Sequence, residues 1–400
     1  MNSALMVLLV RVGIPDESEP YAKGIREILR DQDGAGGREL LQVTELREFQ
    51  LSGAPDPASQ LQALSLDFLA SCDRLLVVIL DAQPVAERAI SQADLTDFET
   101  AVAAILPSTS AAAPRVLSVY LKEKGSLFGI TLADSRIVRL GLEDLDERDL
   151  RIAFLTLYTL HHALSLFTPA GNGLDKPARL FFSHAKRDGV PLTTATKDWM
   201  GRLKGFSAFY DTTNLDIDGD IDAQLNNAVR SAIVIVFRSD VFDQRYWCQK
   251  EVLWADQHSR PVITVDARWQ VEHGPSVISF DSTPTVRIPD GSVVRIFMAA
   301  LIEALRVELF TSRVKAHALA IASGEVYVVP VPRRPSLVSL HGACAELQKQ
   351  VGEHEHRSSY IVYPNPAIPQ LMHEAAQKMV ECVVNKNCQV LALDEFRLVY

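Results

Sequence analysis

The two residues best suited to chemistry are an aromatic ring and a carboxylate four positions apart, Trp247 and Glu251. They belong to a stretch with helical spacing, and residues four apart on a helix lie on the same face. An indole ring and a carboxylate on one face can contact the same ligand, the ring by stacking and the carboxylate by stabilising positive charge. The pair therefore predicts a site for a planar group beside a developing cation.

A single carboxylate suits one class of bond cleavage. Hydrolysis of an ordinary O-glycoside needs a second carboxyl group, which protonates the leaving oxygen. A sugar–base bond whose base is already cationic breaks without that acid, because the base departs as a neutral molecule. In this hypothesis Glu251 stabilises the ribosyl cation, and Trp247 stacks on the base or confines the cation. Taken alone, the two residues are better explained as a core tryptophan and a solvated helix glutamate than as a catalytic pair.

Four motifs arrive in order over residues 179–267: RLFFSHAKRDG, FYDTTNLDIDGDI, VFRSDVFDQRYWCQKE and RPVITVDA. Together they resemble the Toll/interleukin-1 receptor (TIR) domain family, especially its bacterial members. In that family one strand precedes SHA-x-x-D, a second precedes F-x-D and a Gly-containing loop, and S-x-x-Y/F and WCxxE follow. The resemblance covers about a quarter of the chain and rests on the joint order and spacing, since any one motif is weak.

The resemblance implies an enzyme, an NAD+ glycohydrolase (a hydrolase also called an NADase or NAD+ nucleosidase). Active members of the family cleave the nicotinamide–ribose bond at the Glu that matches Glu251, giving nicotinamide and ADP-ribose or a cyclic variant. NAD+ is then the substrate, and neither a further cofactor nor a metal is implied. The substrate-binding positions carried over by motif are Phe182, Ser183, Asp211, Ser239, Trp247 and Cys248.

The resemblance also implies a biological role, namely antiviral (antiphage) defence or related immune signal transduction in the cytoplasm. Cleavage by such domains generally requires self-association, so a homo-oligomer is expected on activation, and an unknown trigger or regulator would act through the flanking sections. Two other functions stay open. One is a non-catalytic interaction or adaptor module, and the other is a synthase in which a nucleophile other than water captures the ribosyl cation.

Composition excludes several classes of protein. The chain has 400 residues, 48% of them hydrophobic and 22% charged, which predicts about two to four folded domains. A net charge of -10 gives no global support for binding nucleic acid. The longest apolar runs have strand length, far below the ~20 residues that cross a bilayer, so no membrane is expected as a partner. Five scattered cysteines favour reduced thiols and a cytoplasmic location.

Alternating strand-like and helix-like segments predict an α/β fold with parallel sheets in three sections. Residues 1–167 form an N-terminal α/β domain for sensing or assembly, and residues 168–178 form a linker rich in Pro and Gly. Residues 179–316 form a flavodoxin-like, parallel-sheet TIR domain, and residues 317–400 form a small α/β section. The first section could be a degenerate TIR-like repeat, although βα alternation alone does not establish one.

Three local expectations concern loops. Residues 186–196 predict a long approach to the first helix of the TIR domain and an altered lid over the nucleotide. The acidic stretch after Asn214 resembles a calcium loop, but Leu225 occupies the twelfth position, where a bidentate Glu is needed, so calcium is disfavoured. The segment CVVNKNC is interpreted as a pair of buried thiols and not as a metal site.

Overall fold

A computed structural model describes sixteen segments of the chain. They are residues 4–12, 15–30, 41–49, 72–81, 115–121, 137–141, 147–167, 178–201, 203, 206–209, 220–268, 283–287, 293–321, 326–351, 358–384 and 387–398. The chain divides into two compact units, Met1–Lys176 and Pro177–Tyr400. The predicted α/β class with parallel sheets is confirmed, because every strand pairing in the described residues is parallel.

The first unit is built on a five-stranded sheet with strand order β2-β1-β3-β4-β5. Its described elements are β1 Leu5–Val12, α1 Pro15–Arg30, β2 Leu41–Phe49, β3 Leu75–Asp81, β4 Arg115–Tyr120, β5 Ile137–Gly141 and α2 Arg148–Ser165. Residues 5–9 and 75–80 are all buried, as expected of central parallel strands covered on both faces. The fifth strand, β5, was not predicted from the sequence.

The second unit opens with another five-stranded parallel sheet, ordered β7-β6-β8-β9-β10. Its elements are β6 Ala178–His184, α3 Val190–Met200, β7 Phe206–Phe209, α4 Ile221–Arg230, β8 Ile233–Arg238, α5 Tyr246–Gln257, β9 Val262–Asp266, β10 Thr285–Arg287 and α6 Val293–Ile321. Numbered within each sheet, the strands of both sheets follow the order 2-1-3-4-5, one of the two common orders of doubly wound α/β folds. In such sheets the strand order reverses between the first and third strands.

The core of this second sheet lies between β6, β8 and the two helices α4 and α5. Phe181 and Val234 are buried in one hydrophobic cluster with residues from both helices, including Leu225 and Val252. The register pairs Ser183 of β6 with Val236 of β8, so the carboxyl ends of the two central strands lie side by side. The residues that follow β6 and β8 in the sequence therefore lie close together.

Two expectations about the second sheet are wrong in detail. Helix α3 begins at Val190, with Pro191 in its first turn, so there is no long approach to it. Proline is accepted there because the first helical N–H groups have no partner within the helix. Residues 271–289, rich in Pro, Gly and Ser, predict an irregular span, but strand β10 lies within it. Helix α6 continues to Ile321, past the predicted domain end at residue 316.

A third parallel sheet, ordered β11-β12-β13, completes the second unit. Its elements are β11 Tyr327–Pro330, α7 Leu337–Val351, β12 Ser359–Tyr363, α8 Gln370–Val383, β13 Cys388–Ala392 and α9 Leu393–Leu398. Of the two thiols in CVVNKNC, Cys388 is buried and burial raises its pKa to about 12, whereas Cys382 is exposed. The expectation that both are buried is therefore wrong for Cys382.

Polar contacts near the carboxyl end of α5 connect the part of the chain that contains the third sheet to the part that contains the second sheet. Ser336, just before α7, donates a hydrogen bond to the Asp256 carboxylate. Arg333 donates to the backbone oxygen of Arg260 and lies 3.7 Å from the buried carboxylate of Glu303 on α6. Residues 326–398 therefore belong to the same folded unit as the sheet before them.

No helix in the described segments is both long enough and apolar enough to span a bilayer.

Helices α7 and α5 approach each other most closely at a glycine. A Cβ built on Gly342 would lie 2.0 Å from the backbone oxygen of Gln257. We expect Gly342→Ala to lower the free energy of unfolding of the second unit by about 3 kcal/mol, because a backbone atom cannot move aside as a side chain can. Urea unfolding of the full chain measures the loss.

Gly201 serves as the matched control for this substitution. It has right-handed helical dihedral angles, and a Cβ there would lie 3.3 Å from the Asp198 backbone oxygen. Gly201→Ala should change the free energy of unfolding by less than about 1 kcal/mol. Equal effects of the two substitutions would show that α7 does not pack on α5 at Gly342.

Candidate active site

A cavity of about 560 Å³ opens at the carboxyl end of β6. Three segments line it: the turn after β6, the first turns of α4, and the first turns of α5. The lining residues are His184, Ala185, Lys186, Arg187, Ile221, Leu225, Arg245, Trp247, Cys248 and Glu251. This is the point between the first and third strands where doubly wound sheets bind ligands.

Glu251 is an acidic side chain in the lining of this cavity, and it is only 6% exposed. The Ser183 hydroxyl, itself fully buried at the end of β6, donates a hydrogen bond of 2.5 Å to Oε2 of Glu251. Burying a carboxylate is costly unless donors replace the lost water, and a donated hydrogen bond favours the ionised form. The bond thus connects the first strand to the helix after the third.

Trp247 and Cys248 lie one turn before Glu251 on α5. The indole of Trp247 is 42% exposed and faces the cavity, while Cys248 is buried and packs in the core beneath it. Their opposite exposures follow from the helical rotation between neighbouring residues. The spacing that predicted a shared face for Trp247 and Glu251 is thus realised, since both line one cavity.

Two carboxylates accept hydrogen bonds that hold the segment between β8 and α5 in place. Asp188, in the turn after β6, accepts a 2.5 Å hydrogen bond from the Ser239 hydroxyl and a 3.3 Å bond from the backbone N–H of Val241. Asp243 accepts two hydrogen bonds from the Arg238 guanidinium, at 2.6 and 3.0 Å. These bonds set where α5 starts and hence where its first turn meets the cavity.

Positive charge gathers around the cavity. Lys186 and Arg187 after β6 and Arg245 before α5 all line it and are exposed, whereas Glu251 is the one acidic side chain among the described lining residues. Because the whole chain carries a net charge of -10, this local excess of cations is unlike the chain as a whole. Such an arrangement favours an anionic ligand with a cationic part near the buried carboxylate.

The other predicted site residues are not all in the cavity. Phe182 is buried in the core, where its ring meets that of Phe237 edge to face. Ser239 follows the third strand as predicted, but its hydroxyl is bonded to Asp188. Asp211 lies outside the described residues. The structure thus brings Ser183, Trp247, Cys248 and Glu251 together. Phe182 and Ser239 do not line the cavity, and they contact other residues of the surrounding fold.

Sequence reasoning missed the cations and the histidine of the lining. His184 and Lys186 stand inside the motif SHAKRD, and Arg245 stands two positions before Trp247. The predicted sheet topology could have identified these lining residues. Residues just after the first strand and just before the helix that follows the third must flank one crevice.

The described part of the chain contains no group of three or more His, Cys, Asp or Glu side chains able to hold a metal ion. Of the acidic stretch considered for calcium, residues 214–219 lie outside the described residues. Asp220 and Asp222 are described: Asp220 accepts a hydrogen bond from the backbone N–H of Ala223, and Asp222 forms an ion pair with Lys250.

The lining side chains offer complementary interactions to one ligand. A planar cationic ring can stack on Trp247, and the buried carboxylate of Glu251 can stabilise positive charge on an adjoining sugar. The exposed cations can bind phosphates of the same ligand.

Comparison with models of known protein families finds no match to this chain, and comparison with curated proteins finds no significant match.

The Ser183–Glu251 hydrogen bond is expected to contribute to stability, because both of its partners are buried. We expect Ser183→Ala to lower the free energy of unfolding at neutral pH by about 2 kcal/mol, because the buried carboxylate loses a donor. In a double-mutant cycle with Glu251→Ala, the two losses should be non-additive by at least about 1 kcal/mol. Urea unfolding of the four proteins gives this coupling energy, and additive losses would mean that the two side chains do not interact.

Proposed function

We propose that the second unit is an NAD+ nucleosidase of the TIR type, which breaks the nicotinamide–ribose bond and releases nicotinamide with ADP-ribose or a cyclic variant. The observation that carries the proposal is the buried carboxylate of Glu251 in a cavity walled by Trp247. Glu251 would stabilise the ribosyl cation, and Trp247 would stack on nicotinamide. Nicotinamide leaves as a neutral base, so no acid is required in the cavity.

The fold supports the same proposal. A five-stranded parallel sheet in the order 2-1-3-4-5 is the flavodoxin-like arrangement expected of a TIR domain. The motif residues Asp188, Ser239 and Ser183, which are far apart in sequence, form hydrogen bonds that frame the cavity. The sheet of the first unit has the same strand order, and we propose that it is a TIR-like domain that serves sensing or assembly.

The biological setting follows from the same family resemblance. We propose a cytoplasmic role in antiphage defence or immune signalling, with activity that depends on self-assembly into a homo-oligomer. Activity per protomer should then rise with protein concentration.

The proposal is tested by mixing the purified full chain with NAD+ at low and high protein concentration and separating the products by chromatography. Glu251→Ala should reduce nicotinamide release by about 10²- to 10³-fold, the scale for removing a group that stabilises transition-state charge. Glu374→Ala, an exposed carboxylate on α8, is the matched control and should retain wild-type activity. The ratio of ADP-ribose to a cyclic product separates hydrolysis from cyclisation.

Equal nicotinamide release by the wild type and Glu251→Ala would refute the proposed role of this carboxylate. If neither protein releases nicotinamide at any concentration, loss of cellular NAD+ on expression decides between a missing trigger and a chain without this activity.

The basic side chains should act on binding and not on bond cleavage. We expect Arg187→Ala to raise the KM for NAD+ about tenfold with little change in kcat, because a contact to phosphate is equally strong in the ground and transition states. Arg230→Ala on α4, exposed and outside the cavity lining, is the control. Steady-state kinetics at two salt concentrations checks this, and the difference between the wild type and Arg187→Ala should shrink at high salt.

A second candidate function has its own observation. Four large apolar residues on α4 and α5 are exposed: Ile221 at 41%, Tyr246 at 65%, Trp247 at 42% and Leu253 at 42%. Exposed apolar side chains close together favour an interaction surface. For a non-catalytic adaptor, cellular function would persist in Glu251→Ala, whereas an enzyme would lose it.

A further inference from the structure

Lys250 stands at the centre of an aromatic cluster on α5. Its ammonium nitrogen lies 5.2 Å from the ring centres of both Tyr246 and Trp247 and 5.0 Å from that of Trp254. The Tyr246 and Trp247 rings meet each other edge to face at 5.5 Å. A cation within about 6 Å of an aromatic ring is attracted to it, so this one lysine binds three rings.

The same ammonium group also bridges two helices. Lys250 forms a 2.5 Å ion pair with Asp222 in the first turn of α4, and that bond raises the pKa of the lysine. The neighbours of Asp222 on this helix, Ile221 and Leu225, line the same cavity as Trp247. Lys250 thus contacts one wall of the cavity through Trp247 and the other through Asp222.

We propose that Lys250 is a positioning residue that holds the Trp247 ring against the cavity and ties the wall formed by α4 to the wall formed by α5. Its effect on the reaction rests on the proposed NAD+ cleavage, while its effect on the Trp247 ring does not. Lys250 itself does not line the cavity, and it acts through the tryptophan.

A plain surface ion pair would not have these consequences. Exposed pairs such as Lys23 with Glu27, 3.6 Å apart on α1, contribute little, because water screens them and both side chains stay mobile. Lys250 has a side chain only 23% exposed and packs against three rings, so its ammonium is confined. Confinement allows it to order the partly exposed indole of Trp247.

The first test measures the ring directly, without reference to activity. The full chain is labelled with 5-fluorotryptophan, and the resonance of Trp247 is assigned by its loss in Trp247→Phe. Lys250→Met, which keeps the length of the side chain and removes its charge, should broaden or split the Trp247 resonance. The resonance of Trp199, stacked on Phe297 at 5.3 Å, is an internal control and should not change.

Two further variants separate positioning from the simple removal of a nearby charge. Lys250→Arg keeps the cation and should restore a single narrow Trp247 resonance. Asp222→Asn removes the ion pair and leaves the lysine cationic, so it should broaden the resonance less than Lys250→Met does. Lys23→Met is the matched control for removing an exposed lysine, and it should leave the spectrum unchanged.

The second test uses steady-state cleavage of NAD+. Lys250→Met should raise KM about tenfold with kcat nearly unchanged, because a poorly ordered Trp247 weakens ground-state and transition-state stacking alike. Lys250→Arg should stay within about threefold of the wild-type KM.

The two tests can contradict different parts of the proposal. A single narrow Trp247 resonance in Lys250→Met would overturn the positioning role whatever the activity. A broadened resonance in a protein that does not cleave NAD+ would support the positioning role and count against the proposed function. A broadened resonance with an unchanged KM would overturn the link between Lys250 and the reaction.

Discussion

The candidate site depends on the cost of burying one carboxylate. Glu251 is almost fully buried, and an ionised carboxyl group in that position requires a donor within the protein. The Ser183 hydroxyl meets that need from the end of β6. Since β6 is the first strand of its sheet and α5 follows the third, this hydrogen bond is satisfied only when the strands are adjacent and in register. The position of the Glu251 carboxylate in the cavity therefore depends on correct folding of the sheet.

A further set of hydrogen bonds holds the segment between β8 and α5, which leads into the helix that carries Trp247 and Glu251. Asp188 accepts from Ser239 and Val241, and Asp243 accepts from Arg238, so the short connection between β8 and α5 has few ways to move. At its other end, α5 packs against α7, where the absence of a side chain at Gly342 permits backbone contact. Helix α5 is therefore held at both ends, and the residues facing the cavity lie near its start. A rigid helix is well suited to hold an aromatic ring and a carboxylate at a constant separation.

The two five-stranded sheets share a strand order although they share few recognisable residues. Central strands in both are continuous apolar runs, as parallel strands covered on both faces must be. The motif residues that frame the cavity in the second sheet, such as Ser183 and Glu251, have no evident counterpart in the sequence of the first unit. A common strand order, with the candidate site in one of the two sheets, agrees with a general rule, namely that the fold supplies a scaffold and the residues placed on it supply function.

The sequence alone determined the α/β class, most of the strands, and the face of α5 that carries Trp247 and Glu251, because those features depend on local periodicity. Periodicity did not reveal β5, nor the start of α3 at Val190, where Pro191 occupies the first helical turn. The tertiary structure decided which distant residues meet. It brought Ser183 to Glu251 across 68 positions of sequence and Asp188 to Ser239 across 51. It also placed the ammonium of Lys250 among three rings and beside Asp222, a contact that depends on how α4 packs on α5. Such contacts arise from strand order and helix packing, which the pattern of one segment does not encode.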